Sequence, residues 1–296
     1  MLHPSEISHS DWCPRASYYR LAGLTPVKET PVTHWQMRMI FDEGKEIHRK
    51  WQSRIWDLGR LAGQFICMDC KHEWFATAPD RCEKCGASRG FLIYAEVPLN
   101  CDSLHMAGQA DGLDRDTAVI EIKSVGVNTL RFEAPHLIKD NTYKFNVNGK
   151  NREFLDYDGL WDSIRVPFPS HIRQAHLYSF MGAPETEIFL YECKWNQRVK
   201  EMVVKYREER IADRLESCRQ IVSGLENGSI PDCPFDGCSD CQRYERSGRE
   251  PRKRILVRRS TAAQAAAAEP ARNGGVGQGG PRRQARRLSR PGDRGA

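Results

Sequence analysis

The sequence predicts an α/β chain in which helices and strands are interspersed, with a small metal-held insertion in its first third and a polar basic tail. Three observations predict it. Apolar residues recur at intervals near three and four over 33–59, short apolar runs at 118–122 and 187–191 read as strands, and two Cys-x-x-Cys pairs lie between 67 and 85. At 296 residues, with 40% hydrophobic and 28% charged side chains, the chain is long enough for one large or two small domains with ordinary cores. No apolar run approaches the roughly 20 residues of a membrane-crossing helix, which excludes a membrane protein of that kind. The opening Met1-Leu2-His3-Pro4-Ser5-Glu6 has no basic stretch followed by an apolar one, so no secretory signal and a cytoplasmic location are expected.

Each element follows in order. Trp35, Met39, Ile40, Ile47, Trp51, Ile55 and Leu58 form the apolar stripe of a long amphipathic helix over 33–59, with Gly44 as a point where it could break. Over 64–94 the two cysteine pairs are flanked by Gln64-Phe65-Ile66 and Phe91-Leu92-Ile93-Tyr94, the pattern of a small metal-held insertion. Segments between 95 and 125 end in Ala118-Val119-Ile120-Glu121-Ile122-Lys123-Ser124, after Asp111-Gly112-Leu113-Asp114, and predict a β-hairpin. Residues 126–170 are polar and aromatic, broken by Asn141, Asn146, Asn148 and Gly149, and are expected to be a long, functional loop with short elements. Helix spacing returns at 171–182, strands are expected at 187–191 and 200–205, and a helix at 207–226. Residues 251–296 carry twelve Arg and Lys against two acids, leaving a body with 33 basic and 37 acidic side chains. Such a tail is expected to be disordered and drawn to anions, nucleic acid among them.

Alternation along a strand sets Glu121 and Lys123 on one side, with Ile120 and Ile122 on the other. If the hairpin brings Asp111 beside Glu121, two carboxylates share a small volume, which repulsion makes costly unless a divalent cation neutralises them. Magnesium or manganese suits such hard oxygen ligands, and Lys123 is then placed to assist an attacking water and to stabilise charge on a phosphate. The plainer alternative is an exposed hairpin with scattered charges.

The ordered set His48, Gly108-Gln109-Ala110-Asp111, Glu121-Ile122-Lys123 and Gln174-Ala175-His176-Leu177-Tyr178 resembles the PD-(D/E)XK nucleases. Within them it is similar to the RecB/AddB-like and CRISPR-associated Cas-four type exonucleases. The resemblance implies a restriction-endonuclease-like core, a mixed sheet flanked by helices. It also implies His48, Asp111, Glu121 and the main-chain carbonyl of Ile122 as ligands of Mg2+ or Mn2+, with Lys123 as catalytic lysine. Gln174 and Tyr178 match the Q-x-x-x-Y motif, and their spacing puts them on one helix face, where they would position the DNA backbone.

Cys67, Cys70, Cys82 and Cys85 have zinc-ribbon spacing, a closed structural site with four thiolates. A second set comprises Cys13, in Asp11-Trp12-Cys13-Pro14-Arg15, and Cys233, Cys238 and Cys241. Four thiolates suit an iron–sulfur cluster, and the resemblance implies a 4Fe–4S cluster here. The C-x4-C-x2-C run departs from the family's C-x2-C-x5-C, and zinc stands as the alternative. Either metal would close a loop of about 220 residues, removing roughly 5 kcal/mol of unfolded-state freedom. Cys101, Cys193 and Cys218 are expected to be inert.

The domain division expected is 1–63 for the N-terminal helical part of the nuclease domain, 64–94 for the zinc ribbon and 95–230 for the catalytic core. A cysteine cluster at 231–245 then closes on Cys13, and 246–296 is the basic tail. The function expected is a metal-dependent DNA exonuclease on single-stranded DNA or DNA ends, running 5′ to 3′, in recombination, repair or CRISPR adaptation, with a phage among the sources it suits. Recombinase, helicase or CRISPR-adaptation proteins are the partners that fit. The alternatives are a non-catalytic zinc-ribbon DNA-binding protein on a nuclease-like platform, and a structure-specific endonuclease of the same fold.

Overall fold

The computed structural model describes residues 1–27 and 35–247, which belong to one compact unit, Met1–Ile255. The basic tail expected at 246–296 lies outside the described residues from 248 onward.

Two short helices, α1 (Pro4–Ile7) and α2 (Pro14–Leu21), each begin with a proline, whose missing N–H and fixed φ suit a first helical position. Then comes α3 (Trp35–Asp57). It runs through Gly44 without a break, a correction to the sequence reading. Its apolar stripe is also shorter than expected. Ile47 and Ile55 are buried, whereas Trp35, Met39 and Phe41 are 66%, 60% and 60% exposed. Only the C-terminal half of α3 has a sheet beneath it.

The strands β1 (Leu61–Cys67), β2 (Glu73–Thr77) and β3 (Leu92–Tyr94) surround the first cysteine set. Next come β4 (Val97–Cys101), β5 (Met106–Ala110), β6 (Gly112–Asp114) and β7 (Ala118–Val125). Four elements occupy the segment expected to be mostly loop: α4 (Val127–Glu133), α5 (Pro135–Asp140), and the hairpin β8 (Thr142–Val147) and β9 (Lys150–Leu155). The helix α6 (Tyr157–Ser163) completes it. The sequence reading is corrected here for a physical reason. Helices of six or seven residues are too short to show a period, and Asn148-Gly149, taken as a breaker, is the hairpin turn itself. Both turn residues hold positive φ, 52° and 76°, as the tight turn matched to strand twist requires. The chain ends with α7 (Pro169–Phe180), β10 (Thr186–Cys193), β11 (Val199–Lys205), α8 (Ala212–Asn227) and α9 (Ser239–Glu245).

The main sheet is mixed, in the order β11-β10-β7-β6-β1-β2, with β3 also paired to β1. Of its pairings β7–β10 is parallel and the others antiparallel. The expected ribbon boundary at 64 falls within β1, so one strand serves both the cysteine site and the main sheet. Helices cover both faces. Ile47 and Ile55 of α3 pack on Ile120, Ile122 and Leu190, while Leu160, Trp161, Ile172 and Ala175 of α6 and α7 pack with Phe189 and Tyr191. β7 is therefore buried on both sides. A third cluster joins α2, α8 and α9 through Tyr18, Tyr19, Leu215, Ile221 and Cys241.

Candidate active site

β7 carries the predicted acid and lysine into the middle of the sheet. Glu121 is only 1% exposed, and Lys123 Nζ stands 2.5 Å from its Oε1; no other donor reaches either carboxylate oxygen among the described residues. Burial, reinforced by the Asp111 charge, pushes the Glu121 carboxyl up to about 7, although Lys123 pulls the other way. Burial would lower Lys123, but Glu121 and Asp111 outweigh it and hold the ammonium above its ordinary value. The lysine is itself anchored. It donates to Gln174 Oε1 at 3.2 Å, and Gln174 Nε2 donates to Tyr178 Oη at 2.9 Å. The four-residue spacing on α7 thus delivers a relay of two side chains to Lys123.

Asp111 sits where the chain passes from β5 to β6, buried at 8% exposure. Its Oδ2 accepts the Ile122 N–H at 2.7 Å, and Oδ1 lies 3.0 Å from His48 Nδ1. Burial disfavours a charged His48, but contact with Asp111 outweighs it and raises the imidazole above its ordinary value. One turn further along α3, Gln52 Nε2 donates to the Asp111 carbonyl at 3.0 Å, so two residues of one helix face hold the aspartate. The preceding Gly108 is bare for a reason. A Cβ there would come within 2.9 Å of Pro4 and 3.0 Å of the Tyr178 ring, both of which crowd the strand behind the site.

Glu96, just before β4, is the residue the sequence reading missed. Donor atoms of His48, Glu96 and Asp111 all lie within 4.8 Å of one another. Burial, then Asp111, raises the Glu96 carboxyl above the usual carboxylate range, and Gln52 Nε2 approaches it at 3.4 Å. Its backbone has φ 63°, a left-handed conformation that a non-glycine residue adopts at a cost. No motif flagged it, since it falls in the link between the cysteine insertion and the core. Glu121 is not part of this close triad; its carboxylate is drawn to Lys123. The donor set nevertheless fits a hard divalent cation: two carboxylates and one imidazole lie together, and the buried Glu121 carboxylate nearby has Lys123 as its sole donor among the described residues. A cleft of ≈ 910 Å³, lined among others by His48, Gln52, Glu96, Lys45, Arg49 and Lys194, opens onto the triad. His176, within the Gln174–Tyr178 motif, plays no part there. It is fully buried, with Nδ1 2.7 Å from both Glu187 carboxylate oxygens.

Both cysteine sets come together. Cys67, Cys70, Cys82 and Cys85 offer sulfurs within 4.8 Å of one another, and so do Cys13, Cys233, Cys238 and Cys241. In the first, burial works against ionisation of Cys82, but the N–H groups of Cys85 and Lys84 outweigh it and bring the thiol down to about 6. In the second, Cys233 is likewise brought to about 6 against burial by the N–H groups of Cys238, Phe235 and Gly237. One thiol of each set is thus poised to ionise, while burial and neighbouring thiols raise Cys85 against the N–H of Ala87, and likewise raise Cys13 and Cys241; a metal binds such ligands as thiolates. Around the second set, Arg15 Nε donates to the Pro231 carbonyl at 3.0 Å and Tyr19 Oη to Glu245 at 3.2 Å, so the two ends of the body are tied together. Cys193 and Cys218 are buried, and burial raises both thiols, which suits inert packing.

No protein-family model and no curated protein matches the chain. Among solved structures it is similar to an alkaline exonuclease, LHK-Exo from Laribacter hongkongensis, with 14% identity over 83% of this chain and 92% of that one, at a TM-score of 0.39. A structure of LHK-Exo in complex with dAMP gives 15% identity over 77% and 88%, at 0.39. A protein named SSO0001 gives 11% over 75% of each chain, at 0.33. These are distant similarities, and the chemistry of the site stands on its own residues.

Proposed function

We propose that the chain is a metal-dependent deoxyribonuclease on a PD-(D/E)XK core, acting as an exonuclease on single-stranded DNA or DNA ends, with 5′-to-3′ as the expected direction. The observation that carries the reading is the Glu121 carboxylate, buried and with no donor but Lys123 among the described residues, with the His48–Glu96–Asp111 triad next to it. Such a cluster of acids is costly unless a cation shares it. His48, Glu96, Asp111 and Glu121 would hold Mg2+ or Mn2+, with the Ile122 carbonyl as a further candidate. When bound, the ion supplies water activation and charge neutralisation at a phosphate.

The chain's own residues do the rest. Asp111 is fixed from three sides, by Ile122, His48 and Gln52, so its oxygens are held before substrate arrives. Lys123 faces both Glu121 and Gln174. It is placed to donate a hydrogen bond to the attacking water or to a phosphate oxygen, while Gln174 and Tyr178 keep its ammonium in register. The zinc ribbon and the 4Fe–4S or zinc site at Cys13 are structural in this reading.

The test is end-labelled single-stranded DNA with Mn2+ or Mg2+, using protein purified without oxygen. Stepwise loss of nucleotides, reduced about 10²–10⁴-fold in Lys123→Ala, is the expected result. DNA binding with no cleavage by protein of full metal content would overturn it in favour of a binding platform, and cutting of a closed single-stranded circle would replace the exonuclease with an endonuclease.

A further inference from the structure

The hairpin β8–β9 has two unlike faces. Its register sets Tyr143 opposite Phe154, Phe145 opposite Arg152 and Val147 opposite Lys150. Alternate residues of a strand share a side, so these six lie on one face. The other face is closed on itself: Lys144 pairs with Glu153 at 3.0 Å, and Asn146 Nδ2 donates to Asn151 Oδ1 at 3.1 Å. The first face has no such closure. Tyr143 and Phe154 are each 55% exposed, Phe145 47% and Val147 43%, and neither Lys150 nor Arg152 has a side-chain partner among the described residues.

Exposed rings on a two-stranded ribbon are not explained by stability, since such a ribbon gains little by itself. The base is nonetheless fixed. Asp156 N–H donates to the Asn141 carbonyl at 2.9 Å, Thr142 Oγ1 donates to the Ile138 carbonyl at 2.6 Å, and Leu155 packs in the cluster containing Val125, the last residue of β7. The face therefore projects from an anchored root in the same core that supports the Glu121–Lys123 strand.

We infer that this face binds a single strand of nucleic acid, with bases stacking on Tyr143, Phe145 and Phe154 and phosphates meeting Lys150 and Arg152. Rings joined to cations, with no acid among them, have the composition of a single-strand platform. Side chains two residues apart on a strand are about 6.8 Å apart, twice the ~3.4 Å rise per base, so one base can enter between neighbouring rings. A duplex keeps its base faces inside the stack, which leaves single strands and frayed ends as the strands that can reach these rings. A second copy of this chain would add two more cations and no acid to one interface. The inference goes beyond the hydrolytic reading and does not require it.

The experiment is fluorescence anisotropy of labelled oligothymidylate with the full chain and no added divalent ion, so that cleavage does not intervene. The variant Tyr143→Ala/Phe145→Ala/Phe154→Ala should bind at least about tenfold more weakly. Phe145→Trp should bind as the native chain does, with its emission quenched by the strand, which guards against a misfolded triple variant. Equal binding by the triple variant, or no binding by the native chain, would overturn the inference. So would an equal loss of affinity for a blunt duplex, or a native dimer that the triple variant converts to monomer, since the face would then be a general DNA contact or a self-association surface. The two readings fail separately. A chain that binds through these rings but never cuts loses the nuclease reading alone; one that cuts and binds unchanged after their removal loses this one.

Discussion

At the scale of single residues, the site is a set of buried charges held in tension. Lys123 neutralises Glu121, so Lys123→Ala leaves an uncompensated buried carboxylate, and breaking such a pair costs about 3–5 kcal/mol. The expected outcome is a lower Tm for Lys123→Ala that added Mn2+ partly restores, read by thermal unfolding with and without the ion; no response to Mn2+ in either protein would argue against a cation among these acids. Glu96→Gln removes a donor of the close triad without emptying the space. Its Mn2+ affinity, measured calorimetrically, should fall about tenfold or more, and an unchanged affinity would exclude Glu96 as a ligand.

His171 gives a pH prediction with a definite sign. Burial, then Lys123 and His9, lower its imidazole well below the ordinary range. Tyr191 Oη accepts the Phe168 N–H at 2.8 Å and lies 2.5 Å from His171 Nδ1, which holds the imidazole in its buried place. The unfolded chain takes up the proton first, so the stability this residue contributes is intact above about pH 6.5 and is lost as pH falls below it, by up to roughly 1.4 kcal/mol per unit. The Tm of the native chain should fall more between pH 7 and 5 than that of His171→Gln; parallel curves would refute the assignment.

At the scale of elements, strand chemistry was legible where burial imposed it. The run 118–124 announced β7, and Glu187–Tyr191 announced β10, because strands buried on both sides read as short apolar runs, interrupted in β7 by Glu121 and Lys123. The hairpin β8–β9 was missed because its side chains face water and show no buried stripe, and only Asn148-Gly149 signalled it. Replacing both turn residues with alanine should cost about 1–2 kcal/mol per position in the left-handed region. Faster amide exchange confined to 142–155, with global Tm little changed, is the expected reading; slow exchange there would show that the turn is dispensable.

At the scale of the whole molecule, the second cysteine set joins residue 13 to residues 233–241 and closes α2 on α9. On the proposal that this set holds a metal, Cys13→Ser should lower the metal content and the Tm by several degrees, because a cross-link constrains the unfolded chain most when the loop is long. Elemental analysis beside the unfolding curve separates loss of iron from loss of zinc; full metal content in the variant would remove Cys13 from the site. Deleting 251–296, the twelve-cation tail, should flatten the salt dependence of DNA binding, since fewer counterions are released.

The sequence by itself determined the α/β class, the two cysteine foursomes, and the candidates His48, Asp111, Glu121, Lys123, Gln174 and Tyr178. These follow from residue type and short spacing, which are local properties. Only the tertiary structure decided that Glu96 joins His48 and Asp111, that Lys123 is held by Gln174 as well as by Glu121, and that β1 serves both the first cysteine set and the sheet. It also decided that one face of an expected loop presents three rings to solvent. Each of these depends on which strands pair and in what register. Pairing is set by how the whole chain buries its apolar surface, and no short window of sequence contains it.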